Sequence, residues 1–345
     1  IMSGTSLDGL DIVWSKLSFN KTWFYEILDG KTYEYSEGWK SELQNASRLK
    51  ARDLVFLDNK FGNYIGEKVN KFLKEKKIQK NQIDLISSHG HTLFHEPDIN
   101  LTKQIGNGAC ICSSTNIKTV SDFRTIDVAF GGQGAPLVPI GDKLLFENYK
   151  GCLNLGGIAN ISYDLNGKRI AGDVNFANMI SNYLCNKIGH SYDKDGELAN
   201  LGKLDEDLIL RLESLDFYKK EFPKSLGVED FDQWYKLLFD KSESSINDQL
   251  YTSGTHLCRT IKNVFKFNSD DSLLITGGGA HNKFWIKKLK ELKIKTVVPE
   301  TKLIDFKEAL IFSLLGVLKL RGEINILASV TGSSKDLSAG IIYNP

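Results

Sequence analysis

The chain has 345 residues, of which 41% are hydrophobic and 25% are charged, and its formal net charge is +1. The composition is typical of a globular protein, and the length favours two lobes over a single core. A nearly neutral net charge does not point to nucleic acid or to an anionic membrane surface, and no apolar run is long enough to span a bilayer. Neither nucleic acid nor membrane is therefore expected as a partner.

The five cysteines are odd in number, and their spacing forms no zinc knuckle. We interpret them as buried free thiols of a cytoplasmic protein. The close pair Cys110 and Cys112 leaves a metal or redox pair open. Ile1 and Met2 look like the end of a buried strand whose start lies upstream, so a targeting segment there also stays open.

The opening stretch SGTSLDGLD, residues 3–11, combines glycines, hydroxyls and two carboxylates. Glycines allow the backbone to approach a phosphate closely, and hydroxyls can donate hydrogen bonds to its oxygens. The residues with these properties are Gly4, Thr5, Ser6 and Gly9. Asp8 and Asp11 can hold Mg²⁺ directly or through its waters. The alternative is a hairpin turn with polar side chains.

Residues 1–97 show strand and helix patterns in turn. Residues 1–35 indicate a strand, a turn and two further strands, and residues 39–77 carry apolar residues at helical spacing. A short apolar strand at 83–88 runs into HGHTLFHEP at residues 89–97. The histidines at 89, 91 and 95 leave a metal site open, but polar groups at the end of a strand, facing a cleft, are the preferred interpretation.

A second polar region follows the strand predicted at 117–121. Asp122, Arg124 and Asp127 precede the glycine-rich loop GGQGAPLVP at residues 131–139. Such a loop suits sugar hydroxyls or a carboxylate. An interdomain hinge is the alternative, and the loop can serve both purposes.

The second half of the chain repeats the opening arrangement of strand, small residues and strand. Gly156 and Gly157 separate strands predicted at 152–155 and 158–163. Asp173 is predicted at the end of a further strand, just before a helix that starts at 178. A carboxylate in this position is a candidate general base, and the alternative is an N-cap or turn residue.

The remaining elements end in a glycine triplet and a long helix. Residues 190–250 are polar, with helical stretches, and a helix is predicted over 250–265. A buried strand at 273–276 then runs into Gly277, Gly278, Gly279 and a helix, which indicates an anion or nucleotide site. Neither a Walker A motif nor a GxGxxG pattern is present, which argues against P-loop enzymes and dinucleotide dehydrogenases.

Seven stretches make the sequence similar to the anhydro-N-acetylmuramic acid kinase family of the actin, Hsp70 and sugar-kinase superfamily. They are MSGTSLDGLD, SHGHTLFHEP, DFRTIDVAFGGQGAPLVP, LNLGGIANIS, GDVNFANMISNYL, ITGGGAHN and KEALIFSLLG. The resemblance implies an α/β, two-lobed actin-like ATPase fold with a nucleotide cleft between the lobes. It places the N-terminal lobe at 1–128, with about 308–345 packing back on it, and the C-terminal lobe at 129–307.

The resemblance also implies a reaction and the residues that serve it. Water opens 1,6-anhydro-N-acetylmuramic acid, an anhydro amino sugar from the cell wall, and ATP with Mg²⁺ phosphorylates the freed 6-oxygen. Asp173 falls on the catalytic aspartate, and Asp8 is the expected metal ligand. The implied sugar contacts are His89, Arg124, Asp127 and Glu308. The implied ATP-binding residues are Gly4, Thr5, Ser6, Leu7, Asp8, Gly9, Leu10, Asp11, Gly156, Gly157, Gly277, Gly278 and Gly279.

Two departures from the family pattern stand out. The family commonly has Asp-Thr-Gly-Pro-Gly-Asn where this chain has Asp-Val-Asn-Phe-Ala-Asn at residues 173–178, and it often has Gln where His91 stands. The bulkier loop puts its conformation and sugar contacts in question more than the chemistry. The histidine could alter substrate contacts or pH dependence.

The resemblance further suggests a homodimer. Three alternatives remain: a plain amino-sugar kinase without ring opening, a nucleotide-dependent binding protein of the chaperone type, and a metal hydrolase built on the three histidines at 89–95.

Overall fold

A computed structural model of the chain describes residues 1–4, 7–265, 268 and 270–345. The protein is mixed α/β, which confirms the predicted class, and it divides into two compact units. Unit 1 contains residues 1–145 and 306–345, and unit 2 contains residues 146–305.

The strands and helices are numbered in chain order. The strands are β1 (Met2–Ser3), β2 (Gly9–Asn20), β3 (Thr22–Glu34), β4 (Ile86–Ser87), β5 (His91–Glu96), β6 (Leu101–Ile105), β7 (Thr119–Ser121), β8 (Gly151–Leu155), β9 (Ile158–Leu165), β10 (Lys168–Phe176), β11 (Ser272–Thr276), β12 (Lys295–Val297) and β13 (Ile341–Tyr343). The helices are α1 (Glu37–Asn45), α2 (Ala51–Glu75), α3 (Gly108–Thr115), α4 (Thr125–Ala129), α5 (Val138–Leu145), α6 (Asn178–Asn186), α7 (Glu197–Asn200), α8 (Glu206–Glu213), α9 (Val228–Asp230), α10 (Lys236–Asp240), α11 (Ile246–Val264), α12 (Lys283–Glu291), α13 (Thr301–Leu320) and α14 (Ala328–Thr331).

Unit 1 contains three small sheets with the strand orders β1-β2-β3, β13-β7-β4 and β5-β6. The helical pattern predicted over 39–77 forms two helices, α1 and α2, with a 3₁₀ turn between them. In α2, Phe61, Ile65 and Val69 recur four residues apart and are buried in the core of unit 1. This spacing places them on one face of the helix, so the pattern of apolar residues explains how α2 packs.

The boundary between the units lies later than the sequence predicted. The expected boundary after residue 128 falls inside unit 1, because α5 packs against α13 there. Gly141 is so close to Ile311 that an added Cβ would lie 2.5 Å from its side chain. The buried Asp142 Oδ1 also lies 2.7 Å from Lys307 Nζ. These contacts hold α5 in unit 1.

Unit 2 is built on a five-stranded sheet in the order β10-β9-β8-β11-β12. Strands β8, β9 and β10 are antiparallel neighbours, whereas β11 runs parallel to both β8 and β12. Helix α11 packs against β10, and its buried Leu257 and Ile261 join the core of unit 2. The apolar runs predicted as strands at 152–155 and 273–276 form β8 and β11, two adjacent interior strands of this sheet.

All five cysteines are free thiols, as predicted, although Cys110 is only half-buried. Burial raises the pKa of both the Cys110 and Cys112 thiols, so neither is a thiolate prepared for metal binding. Within the described part of the chain, no helix combines the length and the apolar character needed to cross a bilayer.

Candidate active site

Gly4, Leu7 and Asp8 lie between β1 and β2, which are antiparallel neighbours. Leu7 has a left-handed backbone with φ of 59°, and its N–H donates to Gly4 O at 3.4 Å. Thr5 and Ser6, both predicted to bind phosphate, lie outside the described residues. Leu7 is therefore hydrogen-bonded back to Gly4, while the phosphate-binding role of residues 4–8 stays a prediction.

The second part of the predicted phosphate loop belongs to a strand. Gly9, Leu10 and Asp11 are the first residues of β2, and the Leu10 side chain is completely buried in the core. An added Cβ on Gly9 would lie 2.7 Å from Tyr33 O, so strand packing already requires this glycine. Leu10 therefore presents no side chain to a ligand, and the phosphate-binding role of residues 9–11 stays a prediction for their backbone.

The two carboxylates near this turn have different surroundings. Asp8 is exposed, whereas Asp11 accepts a hydrogen bond from Thr32 Oγ1 at 2.6 Å. Among the described residues, no group of three or more His, Cys, Asp or Glu side chains is arranged to hold a metal ion. The accessible carboxylate of Asp8 still fits Mg²⁺, because this ion keeps several waters and binds through one or two carboxylates plus substrate phosphates.

The buried His89 and the partly buried Arg124 form a hydrogen-bonded pair in unit 1. Arg124 Nε donates to His89 Nε2 at 3.0 Å, and Arg124 Nη1 donates to Gly134 O at 2.6 Å. The other ring nitrogen, Nδ1, lies 3.0 Å from Gly90 O, which fixes it as the protonated one. Burial, together with the charge of Arg124, lowers the pKa of His89, so the histidine is neutral and accepts.

Glu308 adds a carboxylate to the neighbourhood of Arg124. The Glu308 side chain is accessible, yet desolvation raises the pKa of its carboxyl, and Arg124 partly opposes this effect while Asp11 adds to it. Desolvation also lowers the pKa of Arg124 to about 10. Of the predicted sugar contacts, Arg124 therefore interacts with both His89 and Glu308, and Glu308 also interacts with Asp11. An accessible but desolvated carboxyl beside a guanidinium is a common feature of ligand sites.

Asp127 does not join this group as a ligand contact. Its side chain is completely buried, and its two oxygens accept hydrogen bonds from Gly134 N at 2.7 Å and Thr331 Oγ1 at 2.8 Å. The prediction that Asp127 contacts the sugar is therefore wrong for this structure. The carboxylate instead fixes the loop whose Gly134 carbonyl orients Arg124.

The three histidines of residues 89–95 do not share a site. His91 is buried, with Nδ1 at 3.0 Å from Ser3 Oγ, and Ser3 Oγ accepts from Tyr35 OH at 2.7 Å. Burial lowers the pKa of His91 to about 4, so it is neutral at physiological pH. His95 is exposed on β5 and contacts Thr102. Within the described residues this arrangement does not support a histidine metal centre.

In unit 2 the Gly156–Gly157 turn lies against the start of α6. Asn178 N donates to Gly156 O at 3.0 Å, and Met179 N donates to Gly157 O at 3.1 Å. Asn178 Nδ2 also donates to Leu155 O at 3.1 Å. Gly157 is exposed, and a Cβ there would meet nothing closer than 3.8 Å, so a ligand can approach its backbone.

The glycine triplet lies beside this turn at the end of β11. Gly277 has φ of +81°, and a Cβ on it would lie 2.5 Å from Asn154 Oδ1. Gly279 packs equally tightly against Trp285 and Leu155, whereas Gly278 is exposed. The following helix α12 is capped by the Asn282 side chain, which accepts from Trp285 N. The predicted nest at a helix N-terminus is therefore a 3₁₀ turn followed by a capped helix.

Asp173 lies inside β10, which continues to Phe176, so its predicted position at a strand end is wrong. Its Oδ2 accepts a hydrogen bond from Leu226 N at 2.9 Å. Desolvation raises the pKa of Asp173 to about 6, although the Leu226 hydrogen bond opposes this. A partly accessible carboxylate with a pKa near neutrality can take a proton from water in its ionised form.

A row of polar residues links Asp173 to the glycine turns, and the sequence analysis missed it. Asp173 pairs with Asn160, Asn160 with Asn154, and Asn154 with Thr276 across four adjacent strands. Directly paired residues point to the same face of a sheet, so the four side chains form one row. Thr276 Oγ1 is buried and has no hydrogen-bond partner within the described residues. The signal was present as polar letters in otherwise apolar strands.

A family model and similar sequences identify the same family. Residues 1–345 match the family model described as anhydro-N-acetylmuramic acid kinase. The chain is similar to an anhydro-N-acetylmuramic acid kinase of Aliivibrio fischeri, with 33% identity over 99% of this chain and 98% of that protein. Its similarity to the proteins of the same name from Pseudomonas syringae pv. syringae and Clostridioides difficile is also 33%, over 99% of this chain and 98% and 97% of theirs.

Proposed function

Because the chain belongs to the anhydro-N-acetylmuramic acid kinase family, we propose that it opens 1,6-anhydro-N-acetylmuramic acid with water and phosphorylates the product. ATP is the phosphoryl donor, and the products are N-acetylmuramic acid 6-phosphate and ADP. The reaction recycles a fragment of the cell wall. The two-lobed, actin-like ATPase topology implied by the sequence resemblance is part of this proposal.

The observation that carries the chemistry is the environment of Asp173. Its carboxyl is partly accessible, is held by Leu226 N and has a pKa raised to about 6. A carboxylate with this pKa is ionised at neutral pH and is a stronger base than an ordinary aspartate. We assign Asp173 the role of the general base.

The proposed step is balanced as follows. Asp173 takes a proton from water, and the water oxygen forms a bond to the anomeric carbon. The bond from that carbon to the 6-oxygen breaks, and the 6-oxygen forms a bond to the γ-phosphorus as ADP leaves. Glycoside hydrolysis normally needs a second carboxylic acid to protonate the leaving oxygen, but here the phosphoryl group takes up its electron pair.

Backbone groups of unit 2 are proposed to hold the phosphates. Gly157 and Gly278 are the exposed members of the two glycine turns, and Asn178 lies between these turns. Backbone N–H groups at such turns bind phosphate oxygens. In unit 1 the glycine-rich stretch at residues 4–8 is proposed for the same purpose, with Asp8 as the protein ligand of Mg²⁺. When bound, this ion would neutralise charge on the transferring phosphoryl group.

The cluster of His89, Arg124 and Glu308 in unit 1 is proposed to bind the sugar. Arg124 is held by His89 and Gly134 through Nε and Nη1, and these two bonds do not use its Nη2. A guanidinium fixed in this way can bind a carboxylate such as that of the lactyl group of the muramic acid.

The homodimer implied by the resemblance remains a prediction, which sedimentation can check. The cytoplasmic location also remains a prediction, which cell fractionation can check.

A coupled assay of ADP release tests the proposal, with the anhydro sugar and the open-ring sugar as separate substrates. We expect turnover of the anhydro sugar, and a loss of several orders of magnitude in Asp173→Asn. The matched control is Asp232→Asn, because Asp232 is an exposed aspartate of the same unit. ADP release with the open-ring sugar alone would favour the plain amino-sugar kinase.

Isotopic water separates these two reactions directly. In H₂¹⁸O, ring opening places one ¹⁸O on the anomeric carbon and none in the phosphate, which mass spectrometry of early time points detects. Absence of label at that carbon in the phosphorylated product would contradict the proposed hydrolytic step.

A further inference from the structure

Asn175 is a completely buried polar residue two positions after Asp173. Its Oδ1 accepts from Tyr218 OH at 2.7 Å, and its Nδ2 lies 3.1 Å from both His256 Nδ1 and Thr260 Oγ1. The amide is therefore held on both sides. A buried polar group costs stability unless its hydrogen bonds are made, and here they come from two separate elements.

The anchored amide coincides with a β-bulge. Asp173 pairs with Asn160 on β9, whereas Asn175 pairs with Ala159, so Val174 is an extra residue in β10. Without the bulge, residues 173 and 175 would point to the same face, because side chains alternate along a strand. With it, Asp173 shares the accessible face with Asn160, and Asn175 points to the buried face that α11 covers.

The segment 217–226 forms hydrogen bonds to both Asp173 and Asn175, which lie on β10 at the edge of the sheet. Tyr218 OH donates to Asn175 Oδ1, while Leu226 N donates to Asp173 Oδ2 at 2.9 Å. Asp173 N donates in turn to Lys224 O at 2.9 Å. One short segment thus fixes the amide on the buried face and the carboxylate on the other face.

We propose that Asn175 is a positioning residue, anchored by Tyr218, Thr260 and His256, that holds the bulge and keeps the Asp173 carboxylate on the accessible face. This inference rests on the proposed role of Asp173 as the base.

The titratable groups around this network are Lys224, Tyr218, Tyr235 and His256. Burial lowers the pKa of His256 to about 3 and raises that of both tyrosines, so these three are neutral near pH 7. Lys224 carries the charge, and its Nζ donates to Phe217 O at 3.2 Å. His256 Nε2 has no hydrogen-bond partner in the described part of the chain, which leaves the neutral ring held through Nδ1.

The test is Tyr218→Phe, which removes one hydroxyl and leaves the ring. The matched control is Tyr251→Phe, because Tyr251 OH accepts a bond of 2.8 Å from Lys288 far along the chain from β10. We expect kcat of Tyr218→Phe to fall 10- to 100-fold, with KM values within twofold of wild type, as for other residues that orient catalytic groups. The control should keep wild-type kcat. Equal kcat values in the two variants would overturn the proposal.

A second readout does not depend on turnover. Carbon-13 NMR of labelled aspartate carboxyls, with Asp173→Asn to assign the resonance, gives the pKa of Asp173 directly. Loosening the bulge lengthens the Leu226 hydrogen bond, so Tyr218→Phe should shift this pKa upward. An unchanged pKa would refute the positioning role, whereas inactivity of the wild type would refute only the proposed reaction. If Tyr218→Phe does not fold, Thr260→Val takes its place, because it removes another hydrogen-bond partner of the Asn175 amide. The proposal then requires that Thr260→Val shift the pKa of Asp173 upward.

Discussion

Replacing Asp127 by alanine is expected to destabilise unit 1, because this buried carboxylate anchors a loop and makes no direct contact with the sugar. The carboxylate is completely buried, and each of its oxygens accepts one hydrogen bond, from Gly134 N at 2.7 Å and Thr331 Oγ1 at 2.8 Å. A hydrogen bond to a charged group contributes about 1.5–3 kcal/mol, so losing both should cost about 3–6 kcal/mol in the free energy of unfolding. Thr331→Val removes one partner and should cost about 1–3 kcal/mol.

Urea denaturation followed by tryptophan fluorescence measures these differences. Asp98→Ala is the control, since Asp98 is exposed, and its effect should stay within about 0.5 kcal/mol. Because the carbonyl of Gly134 orients Arg124, the folded fraction of Asp127→Ala should also show weaker sugar binding. The reasoning would be refuted if Asp127→Ala were as stable as Asp98→Ala and yet lost sugar binding, since that result would make Asp127 a ligand contact.

Three further expectations concern packing and pH. Gly279→Ala should lower the free energy of unfolding by about 1–3 kcal/mol and reduce the melting temperature, because its Cβ would lie 2.6 Å from the Trp285 ring. In the control Gly278→Ala the nearest atom to the Cβ is 3.8 Å away, so the melting temperature should not change. Equal effects of the two substitutions would contradict this packing. The value of kcat/KM should fall about tenfold per pH unit below about 6, because Asp173 must be ionised and its pKa is raised to about 6. If kcat/KM began to fall only near pH 4, Asp173 would not be the base. Burial lowers the pKa of His256 to about 3, so as pH falls below about 6.5 this histidine takes up a proton in the unfolded chain but not in the folded protein. The free energy of unfolding should therefore decrease by at most about 1.4 kcal/mol per pH unit. Urea unfolding at several pH values should show a smaller dependence of this free energy on pH in His256→Asn.

Several features could be inferred from the letters alone. The mixed α/β class followed from glycine turns after strands and from apolar residues at helical spacing. The seven characteristic stretches indicated the family. The predictions for Asp8 and Asp173 come from the same patterns. Local chain geometry depends mainly on residues close in sequence, so glycines and periodic apolar residues predict it well. The sequence was less informative where a residue's surroundings come from elsewhere in the chain.

Asp127 shows this limit most clearly. The letters around it place a carboxylate beside Arg124 and a glycine loop, which is equally consistent with a ligand contact and with a loop anchor. Its partner Thr331 is 204 residues away in the chain, and only folding brings the two together.

Asn175 and Asp173 depend on tertiary structure in a second way. The bulge between them sends one side chain to the α11 face and the other to the accessible face, whereas the strand pattern alone predicts a shared face. The amino-acid sequence by itself therefore determined the elements, the family and the kinds of group available for catalysis. Only the tertiary structure decided which polar side chains are accessible and which are buried anchors, because strand register and distant hydrogen-bond partners set the direction of each side chain.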